Sequence, residues 1–292
     1  MAENIMGIFE SHAHYDDEAF NEDRRELLKE LPEKGIEYVV NVGASMESTK
    51  SSIALAGEYD YIYAAVGVHP NETAPLTEEF IQYMKYAALH NKKVVAVGEI
   101  GLDYYWDDRF KAEQLEAFTK QCRLAATYDL PVAIHTRAAW KDMCRTVETE
   151  TKAAREKGLR LRGVFHAFAE DADTYRQLKE CGDFLFGIGG VVTFKKSRLA
   201  DTVREMELDD LVLETDCPYL TPVPYRGQRN ESGYIPYICN KIAALKGTGT
   251  TFGIGQLAEQ VQLPLGGSSK GVGLGRLATI EATQRTLRGK RH

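Results

Sequence analysis

The chain has 292 residues, 43% hydrophobic and 27% charged, so it can bury one sizeable core without a second domain. Its formal net charge of −7 gives no general positive field for a polyanion, which argues against extended duplex binding. No apolar run approaches the roughly 20 residues of a membrane helix, and the amino terminus has neither a basic region nor a cleavage signal. We therefore expect a cytoplasmic monomer or weak oligomer with no membrane partner.

The five cysteines are scattered singly along the chain, and none belongs to a CxxC pair. Such spacing argues against a disulfide framework and against a zinc site made of thiolates. We expect reduced cysteines with mainly structural roles.

Short β-branched runs alternate with longer segments of helical periodicity from residue 5 to about residue 215. Helical spacing is clearest at 22–34, 77–91 and 109–128. The predicted strands are 5–12, 38–43, 62–68, 94–99, 131–135, 163–166, 184–188 and 211–215. Eight strands alternating with helices predict an α/β fold, a (β/α)₈ TIM barrel in residues 1–246.

The last 46 residues, 247–292, have a different composition: ten are glycine and none is aspartate. Sequences such as GTGTTFGIG do not sustain helical propensity. We expect an atypical, divergent, glycine-rich C-terminal tail that is loosely ordered and lies outside the barrel.

Two histidines stand two residues apart at the end of the first predicted strand, His12 and His14. Side chains alternate along a strand with a period of two, so both imidazoles point to the same side. A lone HxH pair is weak evidence for a metal, because a strand histidine is more often a hydrogen-bonded filler.

Four further strands repeat the same pattern, in which ionisable side chains stand at the carboxyl end of an apolar run. These residues are Glu99, His135, His166 and Asp216. The carboxyl ends of barrel strands share one face, where active sites lie, and buried ionisable groups there are costly unless they are paired or bind cations. The six residues together predict a metal site.

Imidazole and carboxylate ligands without thiolates suit Zn²⁺, Mn²⁺ or a similar divalent ion such as Mg²⁺. Six ligands exceed the needs of one tetrahedral ion. A carboxylate can bridge two ions about 3.5 to 4 Å apart, so we expect two divalent metal ions with Glu99 between them.

Several motifs resemble those of the TatD family of metal-dependent deoxyribonucleases, within the amidohydrolase superfamily. They are SHAHYDD at 11–17, GVHP at 67–70, GEIGLDYY at 98–105, HTR at 135–137, VTFKKS at 192–197 and ETDCPYLTPVPYRGQRNE at 214–231. The motifs occur in family order, and the resemblance covers roughly residues 5–246.

This resemblance implies that His12, His14, Glu99 and Asp216 hold one metal, and that Glu99, His135 and His166 hold the other. It also implies hydrolysis of DNA phosphodiester bonds, often as an exonuclease, by water activated at the metals. DNA with single-stranded or frayed ends would be the partner. Asp216 is the candidate general base, and Glu99 is assigned to catalysis through the metals.

Residues after other strands are candidates for substrate binding. His69 could contact phosphate or a metal ligand, or simply close a turn before proline. Asp103 could orient a ligand or cap a helix. Arginines that could grip phosphate with two hydrogen bonds follow strands 5 and 8, although any of them could be a surface ion-pair partner: Arg137, Arg226 and Arg229.

The aromatic run Tyr104, Tyr105 and Trp106 could stack an unpaired base, although such residues more often pack a loop onto a barrel. Glu214 could accept a hydrogen bond from a histidine ligand, because it shares a face with Asp216.

Two departures from the family pattern are Ala138 after the HTR motif and the tail, which lacks the usual closing motif. Two other functions stay open from the sequence. One is an amidohydrolase or esterase, such as an aminoacyl-tRNA deacylase, because the same two-metal chemistry attacks carbonyl groups. The other is a non-catalytic metal-binding partner protein, against which the complete ligand set argues.

Overall fold

A computed structural model describes residues 7–72, 76–106 and 109–247. Eight parallel strands form one sheet in sequence order from β1 to β8. They are β1 (Ile8–Ala13), β2 (Ile36–Val42), β3 (Ile62–Val66), β4 (Val94–Asp103), β5 (Val132–Arg137), β6 (Arg162–Phe165), β7 (Asp183–Ile188) and β8 (Leu211–Leu213). The predicted α/β barrel is therefore confirmed.

Helices connect the strands and form the outer layer. They are α1 (Arg24–Glu30), α2 (Met46–Glu58), α3 (Glu78–His90), α4 (Lys111–Thr127), α5 (Trp140–Glu156), α6 (Ala172–Cys181), α7 (Leu199–Glu205) and α8 (Ile235–Lys246). Local sequence starts several of them: Ser45, Thr77 and Asp171 each accept a hydrogen bond from a backbone N–H of the first turn. Buried Phe80 and Phe118 fix α3 and α4 to the barrel.

The barrel is closed by backbone contacts between the ends of β1 and β8. Ala13 pairs with Cys217, the His14 N–H donates to the carbonyl of Cys217 at 2.9 Å, and the Asp216 N–H donates to the carbonyl of His12 at 3.0 Å. Closure brings the first and last strand ends together, although His14 and Asp216 are far apart in sequence.

Two strands extend further than the sequence indicates. β4 continues past Glu99 to Asp103, and β5 continues to Arg137. Gly101 permits the extra pairing, because its φ is 153° and a side chain there would collide with the carbonyl oxygen of His135. Glu99 consequently lies inside a strand, at a register irregularity between Val97 and Ile100 that resembles a bulge.

Other expectations have mixed outcomes. All five cysteines are unpaired, and four are buried, in agreement with structural roles. None of the described helices is both long and apolar enough to cross a bilayer. The prediction of a loosely ordered tail falls outside the described residues, apart from Gly247, which ends α8 in a left-handed conformation.

Candidate metal centre

The histidine pair at the end of β1 points into the barrel mouth, as the alternation of strand side chains predicts. The two Nε2 atoms lie 3.2 Å apart. The other ring nitrogen of His14, Nδ1, donates to the carbonyl of Val42 at 2.8 Å, which leaves Nε2 as the atom with a free lone pair. His14 is therefore oriented as a ligand through Nε2.

Glu99 occupies the middle of the cluster, and its two carboxylate oxygens face different histidines. Its Oε2 lies 3.5 Å from Nε2 of His12 and 3.6 Å from Nε2 of His14. Its Oε1 lies 3.0 Å from Nδ1 of His135 and 3.6 Å from Nε2 of His166. One carboxylate thus separates two sets of imidazole nitrogens, which is the geometry expected of a bridging ligand.

Asp216 follows β8 and lies next to the cluster of histidines. Its Oδ1 lies 3.5 Å from Nε2 of His14 and 3.8 Å from Nε2 of His166. The Asp216 side chain keeps 15% exposure, against 6% for Glu99, so one carboxylate reaches the cleft while the other is enclosed. This difference suits Asp216 for exchanging a proton with bound water.

Left-handed backbone conformations cluster behind the strand ends that carry these groups. Ala138 follows β5 with φ 54°, Ala167 follows His166 with φ 46°, and Asp216 itself has φ 58°. Residues with side chains adopt this region at a cost of about 1–3 kcal/mol, and such strain is concentrated at functional sites. The left-handed backbone at these positions sets the direction of the side chains at the strand ends.

The electrostatics of the cluster follow from burial and close opposite charges. Burial alone would lower the pKa of His14, but Asp216 and Glu99 outweigh it and raise that pKa to about 9. For His166, the charges of Glu214 and Asp216 likewise outweigh burial and raise the pKa to about 10. Burial and the charge of His166 lower the pKa of His12.

The donor set fits divalent cations. Within the described residues, no lysine or arginine lies within 4.0 Å of the Glu99 or Asp216 carboxylates, whose close partners are histidines. Ligand atoms of His12, His14 and Asp216 lie within 4.8 Å of one another, as do those of His69, Glu99 and His135. Buried carboxylates surrounded by imidazoles need compensating positive charge, which metal ions supply.

His69 lies closer to the metal ligands than its assignment to substrate binding implied. Its Nε2 is 3.6 Å from Oε1 of Glu99, and its ring contacts that of His135 edge to face at 4.5 Å. Burial lowers the pKa of His69 to about 4, so its ring is neutral. Its Nδ1 accepts from the Asn71 N–H at 3.2 Å, which leaves the proton on the Nε2 that faces Glu99. His69 therefore lies near the same carboxylate oxygen of Glu99 as His135, namely Oε1.

Asp103 orients a ligand rather than facing a substrate. It is 1% exposed at the end of β4, and its Oδ2 accepts from Nε2 of His135 at 3.2 Å. Since Nε2 of His135 is thereby occupied, Nδ1 is left to face Glu99. Of the two interpretations of Asp103 from the sequence, this contact favours the one in which Asp103 orients a ligand, and a role in substrate binding stays a prediction.

The three arginine candidates separate into two kinds. Arg137 and Arg226 are exposed and rest on aromatic rings. Neither makes a side-chain hydrogen bond or ion pair within the part of the chain that the structure describes. Arg229 instead forms a two-point ion pair with Asp23, at 2.7 and 2.6 Å, and lies over the ring of Phe20. The ion pair favours the interpretation of Arg229 as an ion-pair partner, and its role in phosphate binding stays a prediction.

Two buried glutamates support the cluster: Glu214, which the sequence suggested as a partner of a histidine ligand, and Glu10, which it did not single out. Glu214 lies beside His166, with 3.3 Å between its Oε1 and the ring Nδ1, and also accepts from the Ala167 N–H at 2.6 Å. Glu10 accepts from the backbone N–H groups of His12 and Thr215, joining β1 to β8. Burial raises the pKa of Glu10 to about 7. Glu10 precedes His12 by two residues, as Glu214 precedes Asp216, and this spacing is the signal that could have identified Glu10 as well.

Comparison with known proteins is consistent with this centre. The model of the TatD-related DNase family matches residues 9–261. The chain belongs to the TatD family. It is 38% identical over 240 residues to YabD of Bacillus subtilis, described as an uncharacterized metal-dependent hydrolase, which covers 82% of this chain and 91% of YabD.

Further relatives agree in sequence and in fold. YcfH of Escherichia coli, also described as an uncharacterized metal-dependent hydrolase, is 33% identical over 247 residues, covering 83% of this chain and 89% of YcfH. The crystal structure of the TatD homologue YjjV from Escherichia coli superimposes with a TM-score of 0.79 at 26% identity, covering 88% of this chain and 95% of YjjV. The protein is a metal-dependent hydrolase of the TatD family.

Proposed function

We propose that this protein hydrolyses phosphodiester bonds of DNA at a two-metal centre. The observation that carries the proposal is the position of Glu99, whose two oxygens face separate histidine sets at the open mouth of the barrel. His12, His14 and Asp216 would hold one ion with Glu99, while His135 and His166 would hold the other, with His69 nearby. The nitrogen and oxygen donors suit Zn²⁺, Mn²⁺ or Mg²⁺.

Bound divalent ions would polarise a phosphate oxygen and lower the pKa of the attacking water towards neutrality. Asp216 is placed to act as the general base, because its partly exposed carboxylate borders the cleft beside His14. It would accept the proton of the water and return it to the leaving oxygen. Glu214 and Asp103 keep the imidazoles of His166 and His135 oriented.

Charge at the rim supports a phosphate substrate. Arg137 ends β5 two residues beyond His135, and Arg226 lies in the segment after β8, over the ring of Phe194. A guanidinium without a carboxylate partner can form two hydrogen bonds to a phosphate. The net charge of −7 makes such local cations the means of attracting a polyanion.

The test is the release of nucleotides from single-stranded DNA by protein that has been stripped of metal and then reloaded with Zn²⁺, Mn²⁺ or Mg²⁺. Carboxylic ester, amide and aminoacyl-ester substrates are assayed in parallel with the same preparations. We expect metal-dependent cleavage of DNA at a higher kcat/KM than that of any carbonyl substrate. A higher kcat/KM for an ester or amide would replace the nuclease proposal with an amidohydrolase or esterase.

A further inference from the structure

An exposed pair of aromatic rings lies beside the metal centre, after β4. The side chains of Tyr105 and Trp106 are 58% and 69% exposed, and the two rings meet edge to face with centroids 5.0 Å apart. Neighbouring Tyr104 behaves differently, because it packs against the core and its hydroxyl donates to Asp142 at 3.1 Å. Tyr104 thus fastens the segment to the barrel, while the next two rings face solvent.

The aromatic pair is tied directly to a metal-site carboxylate. Asp103 accepts from Nε2 of His135 through Oδ2, and its Oδ1 accepts from the Tyr105 N–H at 2.9 Å. The Tyr104 N–H donates to the carbonyl of Arg137 at 2.9 Å. One carboxylate therefore sets the orientation of a candidate metal ligand and the position of the exposed rings.

Arg137 contacts both aromatic rings. Its guanidinium carbon lies 3.8 Å from the ring centroid of Tyr105 and 5.3 Å from that of Trp106. Arg137 is two residues beyond His135 on β5, so the strand rise separates the two Cα atoms by about 7 Å. Two perpendicular aromatic rings and a cation without an acidic partner among the described residues thus lie together at the edge of the metal centre.

We propose that Tyr105, Trp106 and Arg137 form a subsite for an unpaired nucleotide of the DNA strand that is being cleaved. The proposal rests on the proposed function and adds the residues that would bind one base and its phosphate. Aromatic rings bind bases through their π faces, which neighbouring base pairs cover inside a duplex. Arg137 would hold the adjoining phosphate while the rings stack the base. The substrate would therefore enter as a single strand or as a frayed end.

The experiment compares two strands of equal length: a single-stranded oligodeoxynucleotide and a strand whose sugars all lack bases. Both carry the same phosphates, so they differ only in what can stack. We expect Trp106→Ala to lower kcat/KM for the natural strand about tenfold to a hundredfold, because stacking on one ring contributes that much per base. The base-free strand should be cleaved at a nearly unchanged rate, and Tyr105→Ala should show the same selectivity.

Tyr86→Ala is the matched control, since Tyr86 is an equally exposed tyrosine, 65% accessible, on α3. It should leave both rates unchanged. An equal effect of Trp106→Ala on the two strands, or no effect on either, would overturn the subsite.

A binding measurement separates this proposal from the hydrolytic one. The chain has two tryptophans, and in a Trp140→Phe background, which keeps an aromatic ring against Phe165 and Phe168, fluorescence reports on Trp106 alone. A short thymidine oligomer should quench it saturably, whereas the base-free strand should not. Quenching without cleavage by the wild-type protein would refute the nuclease and retain the subsite. Cleavage without base-dependent quenching would retain the nuclease and refute the subsite.

Discussion

The inner cluster at the strand ends and the outer rim of the same face are built in different ways. In the cluster, each ionisable side chain contacts several others, and Glu99 alone lies near five histidines. On the rim, Arg137 and Arg226 are exposed, lie over aromatic rings and form no side-chain hydrogen bond or ion pair within the described residues. We therefore expect the cluster to determine the chemistry of hydrolysis and the rim to determine which substrate binds.

The largest effect should come from Glu99→Gln, which keeps the shape of the side chain and removes the charge that both histidine sets share. We expect turnover to fall by more than about a hundredfold, because a ligand facing two ions should matter more than a residue that only orients one. Metal content by mass spectrometry and kcat with saturating metal measure this effect. Glu116→Gln, at an exposed site on α4 paired with Lys120, is the matched control. Full turnover by the Glu99 variant would show that Glu99 does not bridge two metal ions.

A smaller effect should come from Glu214→Gln, since Glu214 touches His166 rather than the cleft. We expect metal affinity to weaken by about tenfold to a hundredfold, as is typical when the partner of a ligand histidine is altered. Competition with a chelator gives the affinity. Saturating metal should restore most of kcat, and failure of metal to restore it would place Glu214 in the chemical step.

On the rim, Arg226→Gln should raise the KM for single-stranded DNA several-fold while leaving kcat nearly unchanged. Loss of one phosphate contact should also reduce the slope of log affinity against log salt concentration by about 0.7. Binding titrations over a range of salt concentrations measure this slope. An unchanged slope would show that Arg226 does not contact the strand.

Arg229→Gln tests the distinction between two arginines of the same segment and should have the smallest effect. We expect no change in KM and a loss of about 1 kcal/mol or less in the free energy of unfolding, because the ion pair with Asp23 is partly exposed. Arg229 lowers the pKa of Asp23 below 3.8, so the pair's contribution is present above that pH. It is lost as the pH falls through the lowered pKa. Denaturation of both proteins at neutral and acidic pH provides the comparison, and a raised KM would return Arg229 to the phosphate-binding residues.

The difference between the cluster and the rim also explains which residue roles the sequence could predict. Strand-end position and side-chain alternation place His12 and His14 in one cluster, because closure of the barrel leaves the carboxyl ends of its strands little freedom. The roles of Asp103 and Arg229 depended on which neighbour each side chain would meet. Such contacts between distant segments have no periodic signal, so the sequence could suggest these residues but not choose between their alternatives.

The proposed chemistry depends on Glu99 lying between two divalent ions. Anomalous diffraction from crystals of the reloaded protein, recorded on both sides of the absorption edge of Zn²⁺ or Mn²⁺, tests it most directly. We expect two peaks about 3.5 to 4 Å apart, one beside His12 and His14 and one beside His135 and His166. A single peak, or peaks away from the Glu99 carboxylate, would contradict it.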